Sequence, residues 1–197
     1  MTIIGQEFFN HPTLTVARML LGQRLVREFE GQRLSGLIVE TEAYIGPTDT
    51  ACHASKGRTP RTEVMFGPSG HTYVYLVYGM HYMLNIVTEA EDFPAAVLIR
   101  ALEPVEGLAV MQANRNNQSN PRHLTNGPGK LCQALTIDKT LNNWDVTFGK
   151  KLWLESDDSI SDSTIATGPR IGIDYAQPKD RAALWRFWVR GNRFVSR

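Results

Sequence analysis

Residues 37–46 read Leu-Ile-Val-Glu-Thr-Glu-Ala-Tyr-Ile-Gly, an apolar and β-branched run that contains two glutamates. This composition favours a β-strand, in which successive side chains point to opposite faces of the sheet. The alternation predicts one face with Ile38, Glu40, Glu42 and Tyr44, and an opposite face with Val39, Thr41 and Ala43. Two carboxylates this close repel each other, so we expect either that one binds a proton unusually readily or that the pair shares a partner. Two interpretations remain open: a general acid or base at a strand end, or a solvent-facing strand edge without chemistry.

The segments on either side of this strand predict an α+β fold. Apolar or alternating runs bounded by turn residues indicate strands, at residues 25–29, 33–44, 72–77, 81–88 and 95–102. Helical spacing of apolar residues indicates helices at residues 11–21, 104–113 and 129–135. We expect a surface loop at 112–126, and short strands with acidic turns at 149–169. Strands joined by short turns favour an antiparallel or mixed sheet with helices packed on it, in one domain over residues 1–197.

The composition excludes several classes of protein. With 197 residues, of which 42% are hydrophobic and 21% charged, the chain resembles ordinary folded domains rather than disordered ones. No apolar run approaches the ~20 residues of a membrane-spanning helix, so no membrane partner is expected. Cys52 and Cys132 are the only cysteines, too few for a disulfide framework, which favours the reducing cytoplasm.

The net charge of +1 is lower than that of proteins that coat nucleic acid, so any such contact must rest on local clusters. Residues 179–197 carry six cations against one acid, residues 56–61 carry three cations and no acid, and residues 87–106 carry five acids against one arginine. These runs are either ordinary solvated faces or a basic surface for DNA, with the acids placed elsewhere.

Five of the six tyrosines fall between residues 44 and 82. Tyr73 and Tyr75 share one face of a predicted strand, and Tyr78 lies in the following turn, where a ring is poorly placed to fill a core. Such rings either stack on nucleic-acid bases or pack in an ordinary sheet core. The chain lacks His-Glu-x-x-His, Cys-x-x-Cys and Gly-x-Ser-x-Gly, so neither a metal site nor a serine hydrolase is predicted, and no cofactor is expected.

The order of the motifs resembles that of the alkyladenine DNA glycosylases, also called 3-methyladenine or methylpurine DNA glycosylases. The matching segments include Val-Glu-Thr-Glu-Ala-Tyr-Ile-Gly-Pro (39–47), Ala-Cys-His (51–53), Arg-Thr-Pro-Arg (58–61), Tyr-Val-Tyr-Leu-Val-Tyr-Gly-Met (73–80), Leu-Ile-Arg-Ala-Leu-Glu-Pro (98–104), Gly-Pro-Gly-Lys-Leu-Cys-Gln-Ala (127–134) and Pro-Arg-Ile-Gly (169–172). The resemblance implies a curved, mixed but largely antiparallel sheet, helices around it and a protruding β-hairpin. It further implies a bacterial, cytoplasmic and nucleoid-associated enzyme that acts on damaged purines in double-stranded DNA, and we expect a monomer.

The resemblance also implies roles for single residues. Glu42 matches the glutamate that positions and deprotonates the attacking water, Arg100 matches the arginine beside it, and Glu40 is assigned no catalytic role. Tyr78 matches the residue that wedges into the duplex when the base is extruded. The pocket around that base is matched by Tyr44, His53, Tyr75 and Asn85, of which Asn85 disfavours the 2-amino group of guanine. Further contacts with DNA are matched by Arg58, Thr59, Met65, Met80, His81 and Lys130.

One position departs from the family pattern, which has an aromatic residue in place of His81. We expect this change to weaken a minor-groove contact or to alter the pH dependence. No lysine is matched in the pocket, which predicts a monofunctional glycosylase without lyase activity. Two alternatives stay open: a non-catalytic module that stacks single-stranded nucleic acid on Tyr73, Tyr75 and Tyr78, and a hydrolase of free nucleosides.

Overall fold

The computed structural model of the chain describes residues 2–157 and 160–196. Its α-helices are α1 (Thr13–Met19), α2 (Leu108–Asn114), α3 (Pro128–Ala134) and α4 (Pro178–Ala182). Its strands are β1 (Arg24–Phe29), β2 (Gln32–Ile45), β3 (Thr72–Val77), β4 (His81–Val87), β5 (Ala95–Glu106), β6 (Leu152–Glu155), β7 (Ile165–Gly168) and β8 (Arg186–Val189). The expected α+β fold is confirmed.

The strands form one sheet in the order β3-β4-β5-β2-β1-β6, with β8 and β7 attached beside β2. At 14 residues, β2 is long enough to hold two neighbours along one edge: its first part pairs with β1, and residues 40–42 pair with β8. Strand β5 runs antiparallel along the other edge. The two glutamates of β2 therefore lie in the middle of the sheet, with a strand on each side.

The two faces of the sheet carry different clusters of side chains. Helices α1, α2 and α3 cover one face through a large apolar core that includes Val74 and Val97. The preceding residues, Tyr73 and Ala96, point to the opposite face and belong to a smaller cluster against which Tyr44 packs, because neighbouring strand residues alternate. Tyr44 and the Glu42 carboxylate that it contacts lie on the side of this smaller cluster.

The strict alternation predicted for β2 fails at its centre. The pairing of β2 with β5 shifts register between Ile38 and Glu40 and again between Glu40 and Thr41. Ile38 therefore packs in the same apolar core as Ala43, and its predicted place on the carboxylate face is wrong. A β-bulge of this kind inserts an extra residue and redirects the side chains around it. Both glutamates are fully buried, so the hypothesis of a solvent-facing strand edge is also wrong.

Several other boundaries differ from the predictions. Strand β5 continues to Glu106 and α2 begins only at Leu108, because residues 103–106 still pair with β2 before Gly107 turns with a φ of +75°. The predicted loop at 112–126 contains the end of α2, and its buried Thr125 donates from its hydroxyl to the carbonyl of Leu102. The sheet is antiparallel wherever strands pair in the described residues, which excludes a mixed sheet there. None of the helices described is long and apolar enough to cross a membrane.

Candidate active site

Glu42 is the centre of a buried polar cluster on β2. Its side chain is 0% exposed, and it accepts hydrogen bonds from the hydroxyl of Tyr44 at 2.8 Å and from the backbone amide of Ile171 at 2.8 Å. The guanidinium of Arg100 lies 3.1 Å from the same carboxylate. Burial in a charged state requires such partners. The three donors also fix the carboxylate in one orientation.

Arg100 joins the two glutamates of β2. Its Nε lies 3.2 Å from Glu40 and its Nη1 lies 3.1 Å from Glu42, so the predicted shared partner of the carboxylate pair is this arginine. Burial opposes the charge of Arg100, but the charges of Glu42 and Glu40 outweigh it and raise the pKa of Arg100 above its usual value. Arg100 therefore stays positively charged beside Glu42.

A pocket of about 260 Å³ opens in front of this cluster. Three of its wall residues, Tyr44, Arg100 and Ile171, are the donors to Glu42, so the carboxylate lies directly behind the wall. The four residues expected to surround the extruded base all line the pocket, namely Tyr44, His53, Tyr75 and Asn85. Strand pairing accounts for part of this arrangement, since Asn85 is opposite Tyr73 in the register of β3 and β4.

The aromatic walls are held by one another and by hydrogen bonds. The rings of His53 and Tyr75 pack edge to face with centroids 4.6 Å apart, and His53 Nδ1 lies 3.0 Å from the hydroxyl of Tyr73. Asn85 donates to the carbonyl of Tyr73 at 3.0 Å. Burial, reinforced by the charge of Glu42, raises the pKa of Tyr44 well above its usual value. The Tyr44 hydroxyl thus remains protonated and able to donate.

His53 contributes an imidazole to the pocket wall. Burial, followed by the positive charges of Arg61 and Lys56, lowers the pKa of His53 to about 4. The imidazole is therefore neutral at neutral pH, and the wall carries no charge at this position. His53 therefore adds no positive charge to a wall that already contains Arg100.

One wall of the pocket, to which the sequence assigned no role, is formed by Ile171, Gly172, Ile173 and Tyr175. Arg170 is 5% exposed and bonds both oxygens of Asp49, and its guanidinium lies between the rings of Tyr44 and Trp185, at 4.8 and 4.9 Å. This anchor holds the next residue, Ile171, with its amide on Glu42. A backbone donor carries no residue-type signal, so sequence reasoning had no means of finding it.

The hairpin of β3 and β4 ends at the mouth of the pocket. Tyr78 lies in its turn with a φ of +53° and is 87% exposed, yet it also contributes to the pocket lining. Met80 is 71% exposed. His81 packs on the start of α3, where a side chain added at Gly129 would come within 3.1 Å of it. The hairpin thus has an exposed aromatic residue in its turn, while the neighbouring His81 packs against helix α3.

The remaining residues expected to contact DNA differ in their exposure and in their contacts. Arg58 forms ion pairs with Asp92 and Glu63 and stacks on Phe66. Thr59 is exposed and bonds Thr62. The side chain of Met65 is 2% exposed and lines the pocket. Lys130 is half-buried, and its ammonium donates to the Asn126 side chain at 2.9 Å.

One of the two interpretations of the charged runs, in which the acids lie away from the cations, is contradicted at Arg58. Asp92, from the acidic run, pairs with Arg58, from a basic run. Arg186, from the other basic run, is partly buried and lies 3.1 Å from Glu40. Arg197 lies outside the described residues. Charges that are far apart in sequence are therefore neighbours in space, and the sign pattern along the chain does not give the sign pattern of the surface.

In the described residues, no group of three or more His, Cys, Asp or Glu side chains is arranged to hold a metal ion. The pocket instead has aromatic walls and one cation, Arg100, and the Glu42 carboxylate lies behind them. Aromatic walls of this kind are suited to a flat ring.

Comparison with known proteins identifies the class of enzyme. The model of the family described as methylpurine-DNA glycosylase matches residues 7–193. A protein of Desulfitobacterium hafniense is 52% identical over 203 residues, covering 98% of each chain. Proteins of Methanocella arvoryzae and Myxococcus xanthus are 48% and 49% identical over 197 residues, covering all of this chain and 97% and 95% of theirs. All three bear the name "Putative 3-methyladenine DNA glycosylase".

The match and the pocket define a DNA glycosylase, a hydrolase of N-glycosyl bonds with a role in DNA repair. Within that class, the chain belongs to the methylpurine-DNA glycosylase family.

Proposed function

We propose that this enzyme extrudes alkylated or deaminated purines from double-stranded DNA and hydrolyses their N-glycosidic bond with a water activated by Glu42. The observation that carries the proposal is the Glu42 carboxylate, fixed by Tyr44, Ile171 and Arg100 directly behind a pocket with aromatic walls. Such a carboxylate suits both proton removal and stabilisation of a positively charged sugar.

Extrusion of the base is required by the depth of the site. A base stacked in a duplex does not reach a carboxylate behind a pocket wall, so the nucleotide must rotate out of the helix, which costs a few kcal/mol of stacking and pairing. Tyr78 is exposed at the pocket mouth, where its ring would occupy the vacated space and recover part of that cost.

In the proposed hydrolysis, one water molecule displaces the base from the sugar in a single step. A carboxylate has about four lone-pair positions, and Tyr44, Ile171 and Arg100 occupy three on Glu42, which leaves one for a water. Because the carboxylate is fully covered in the structure, this water enters as the wall adjusts around the base. Its oxygen bonds to the sugar C1′, its proton passes to Glu42, and the C1′–N electron pair leaves with the base.

The pocket favours purines alkylated at a ring nitrogen for electrostatic reasons. A purine alkylated at a ring nitrogen carries positive charge, so it stacks well on the electron-rich faces of Tyr44 and Tyr75. It also leaves as a neutral base that needs no added proton. The side chain of Asn85 is buried and fixed by the carbonyl of Tyr73, which supports a role in excluding the extra amino group of guanine.

A stacking module for single strands is less consistent with the site. Tyr73 is only 3% exposed and Tyr75 is half-buried, so Tyr78 alone among the three offers an open ring. The described residues that line the pocket include no lysine, which supports hydrolysis without a Schiff base.

The proposal is tested by incubating the enzyme with duplex oligonucleotides that each contain one 3-methyladenine, 7-methylguanine, hypoxanthine or ethenoadenine, followed by alkali. We expect a strand break at one or more lesions and none in the undamaged duplex, with turnover that falls as salt is added because the substrate is a polyanion. Absence of breaks at every lesion would contradict the proposal. Equal turnover of a free nucleoside would instead favour the nucleoside hydrolase.

A further inference from the structure

Arg100 is held at every side-chain nitrogen. Its Nη1 lies 3.1 Å from Glu42, its Nε donates to Glu40 at 3.2 Å, and its Nη2 donates to the hydroxyl of Ser196 at 3.2 Å. None of these three acceptors is in the pocket lining, although Arg100 itself is. The direction in which Arg100 presents its third nitrogen to Glu42 is thus set from behind.

The Ser196 hydroxyl connects Arg100 to Glu40, because it accepts one hydrogen bond and donates another. The Ser196 Oγ accepts from Arg100 and donates to Glu40 at 2.9 Å, while the Ser196 backbone amide donates to the other oxygen of Glu40 at 2.7 Å. Ser196 is 9% exposed and lies 96 residues along the chain from Arg100. The backbone amide ties the segment to Glu40, and the hydroxyl additionally links Glu40 to Arg100.

Glu40 supports the same arginine with its charge. It is 0% exposed and lies near two guanidiniums, those of Arg100 and Arg186. If Arg100 were its only cation, Glu40 would compete with Glu42 for that arginine. Arg186 from β8 supplies a second cation, so that the cluster contains two glutamates and two arginines. Arg100 is therefore free to bridge both carboxylates.

We propose that Ser196 and Glu40 are positioning residues that aim Arg100 at Glu42 and so keep the carboxylate aligned for the attacking water. This inference rests on the proposed function. Neither residue touches the base or the water; they act through Arg100. A misplacement of about 1 Å at a reacting group is sufficient to lower a rate by about 100-fold.

The chain contains a matched control in the same sheet. Ser35 on β2 is fully buried, accepts from Arg24 at 3.3 Å and donates to Glu106. It thus forms the same bridge from an arginine through a serine hydroxyl to a glutamate, but none of these three residues lines the pocket or contacts Glu42. Ser35→Ala removes an equivalent bridge without reaching the site.

The test compares Ser196→Ala, Ser196→Thr and Ser35→Ala with the unaltered enzyme. For each, the single-turnover excision rate, the dissociation constant for lesion-containing duplex and the melting temperature are measured, with a lesion that the unaltered enzyme excises. We expect Ser196→Ala to lower the rate by about 10- to 100-fold with an unchanged dissociation constant, and Ser196→Thr to restore most of the rate because it keeps the hydroxyl. Ser35→Ala should keep the full rate.

Three results would overturn the inference: a full rate for Ser196→Ala, an equal loss for Ser35→Ala, or no recovery with Ser196→Thr. These outcomes are distinct from failure of the proposed function, which would appear as no excision by the unaltered enzyme. Glu42→Gln separates the two further, because retained excision in that variant contradicts water activation at Glu42 whatever Ser196 does.

Discussion

The bottom of the pocket and the tip of the β3–β4 hairpin bear on the same reaction but are built in opposite ways. Glu42 is 0% exposed and receives three donors from three different parts of the chain. Tyr78 is 87% exposed and lies in a turn that its own hairpin forms. One region depends on many distant contacts, and the other depends on few and local ones.

Substitutions in the two regions should therefore have different consequences. A buried charge that loses a partner leaves an uncompensated group, so substitutions at the pocket bottom should affect stability and chemistry together. An exposed ring has little to lose in the folded state, so substitution at the tip should affect only the encounter with DNA.

The largest effect is expected for Glu42→Gln, which removes the base while keeping the shape of the side chain. Base excision should fall by about 10²- to 10⁴-fold, whereas the dissociation constant for lesion-containing duplex should change little. Single-turnover excision and a binding titration measure the two quantities. Glu91→Gln, at an exposed acid, serves as the control and should excise normally; retained excision by Glu42→Gln would mean that the water is activated elsewhere.

The next effect concerns the anchor behind the pocket. Asp49 is 1% exposed and bonds Arg170 with both oxygens, so Asp49→Asn leaves the arginine charge buried without its partner. The free energy of unfolding, measured in urea, should fall by about 3–5 kcal/mol. The exposed pair of Arg18 and Asp162 provides a comparison, and Asp162→Asn should cost at most about 1 kcal/mol. Equal losses of unfolding free energy in both variants would contradict the expected difference between buried and exposed ion pairs.

The hairpin tip should show the reverse pattern. Tyr78→Ala should reduce lesion binding and excision by about 5- to 150-fold, equivalent to about 1–3 kcal/mol of stacking, while the free energy of unfolding stays within about 0.5 kcal/mol. Tyr78→Phe keeps the ring and should excise almost normally. A loss of stability in Tyr78→Ala as large as that of Asp49→Asn would contradict the view that the tip is energetically independent.

The smallest effect concerns His53 and pH. Its pKa is about 4 in the folded chain against 6.5 ordinarily, so between these values the unfolded state binds more protons. The contribution of the neutral His53 to the free energy of unfolding is therefore fully present above pH 6.5 and is lost as the pH falls toward 4. Unfolding of the unaltered chain and of His53→Gln, measured from pH 7 to 4.5, should give a stability difference that shifts against the unaltered chain at low pH. Parallel pH curves would show that His53 titrates normally.

Sequence patterns predicted well what depends on neighbouring residues. The helix at α1 and the paired strands β1–β2 and β3–β4 were expected close to where they lie, since periodicity and turn residues act locally. Alternation placed Glu40 and Glu42 on one face, but it misplaced Ile38, because a bulge depends on the partner strand β5. The ion pair of Arg58 with Asp92 and the place of Met65 in the pocket wall have no local pattern either, and the contact of both residues with DNA stays a prediction.

Local patterns were sufficient to predict the class of fold, the carboxylate pair on one strand and the order of motifs that resembles the family. Folding of the chain settles the rest: the carboxylates are buried, Arg100 joins them, and the amide of Ile171 and the hydroxyl of Ser196 complete the cluster. These partners lie 58 to 156 residues away from the glutamates along the chain. Which charges meet across such distances is set by the pairing of strands, which no local pattern encodes.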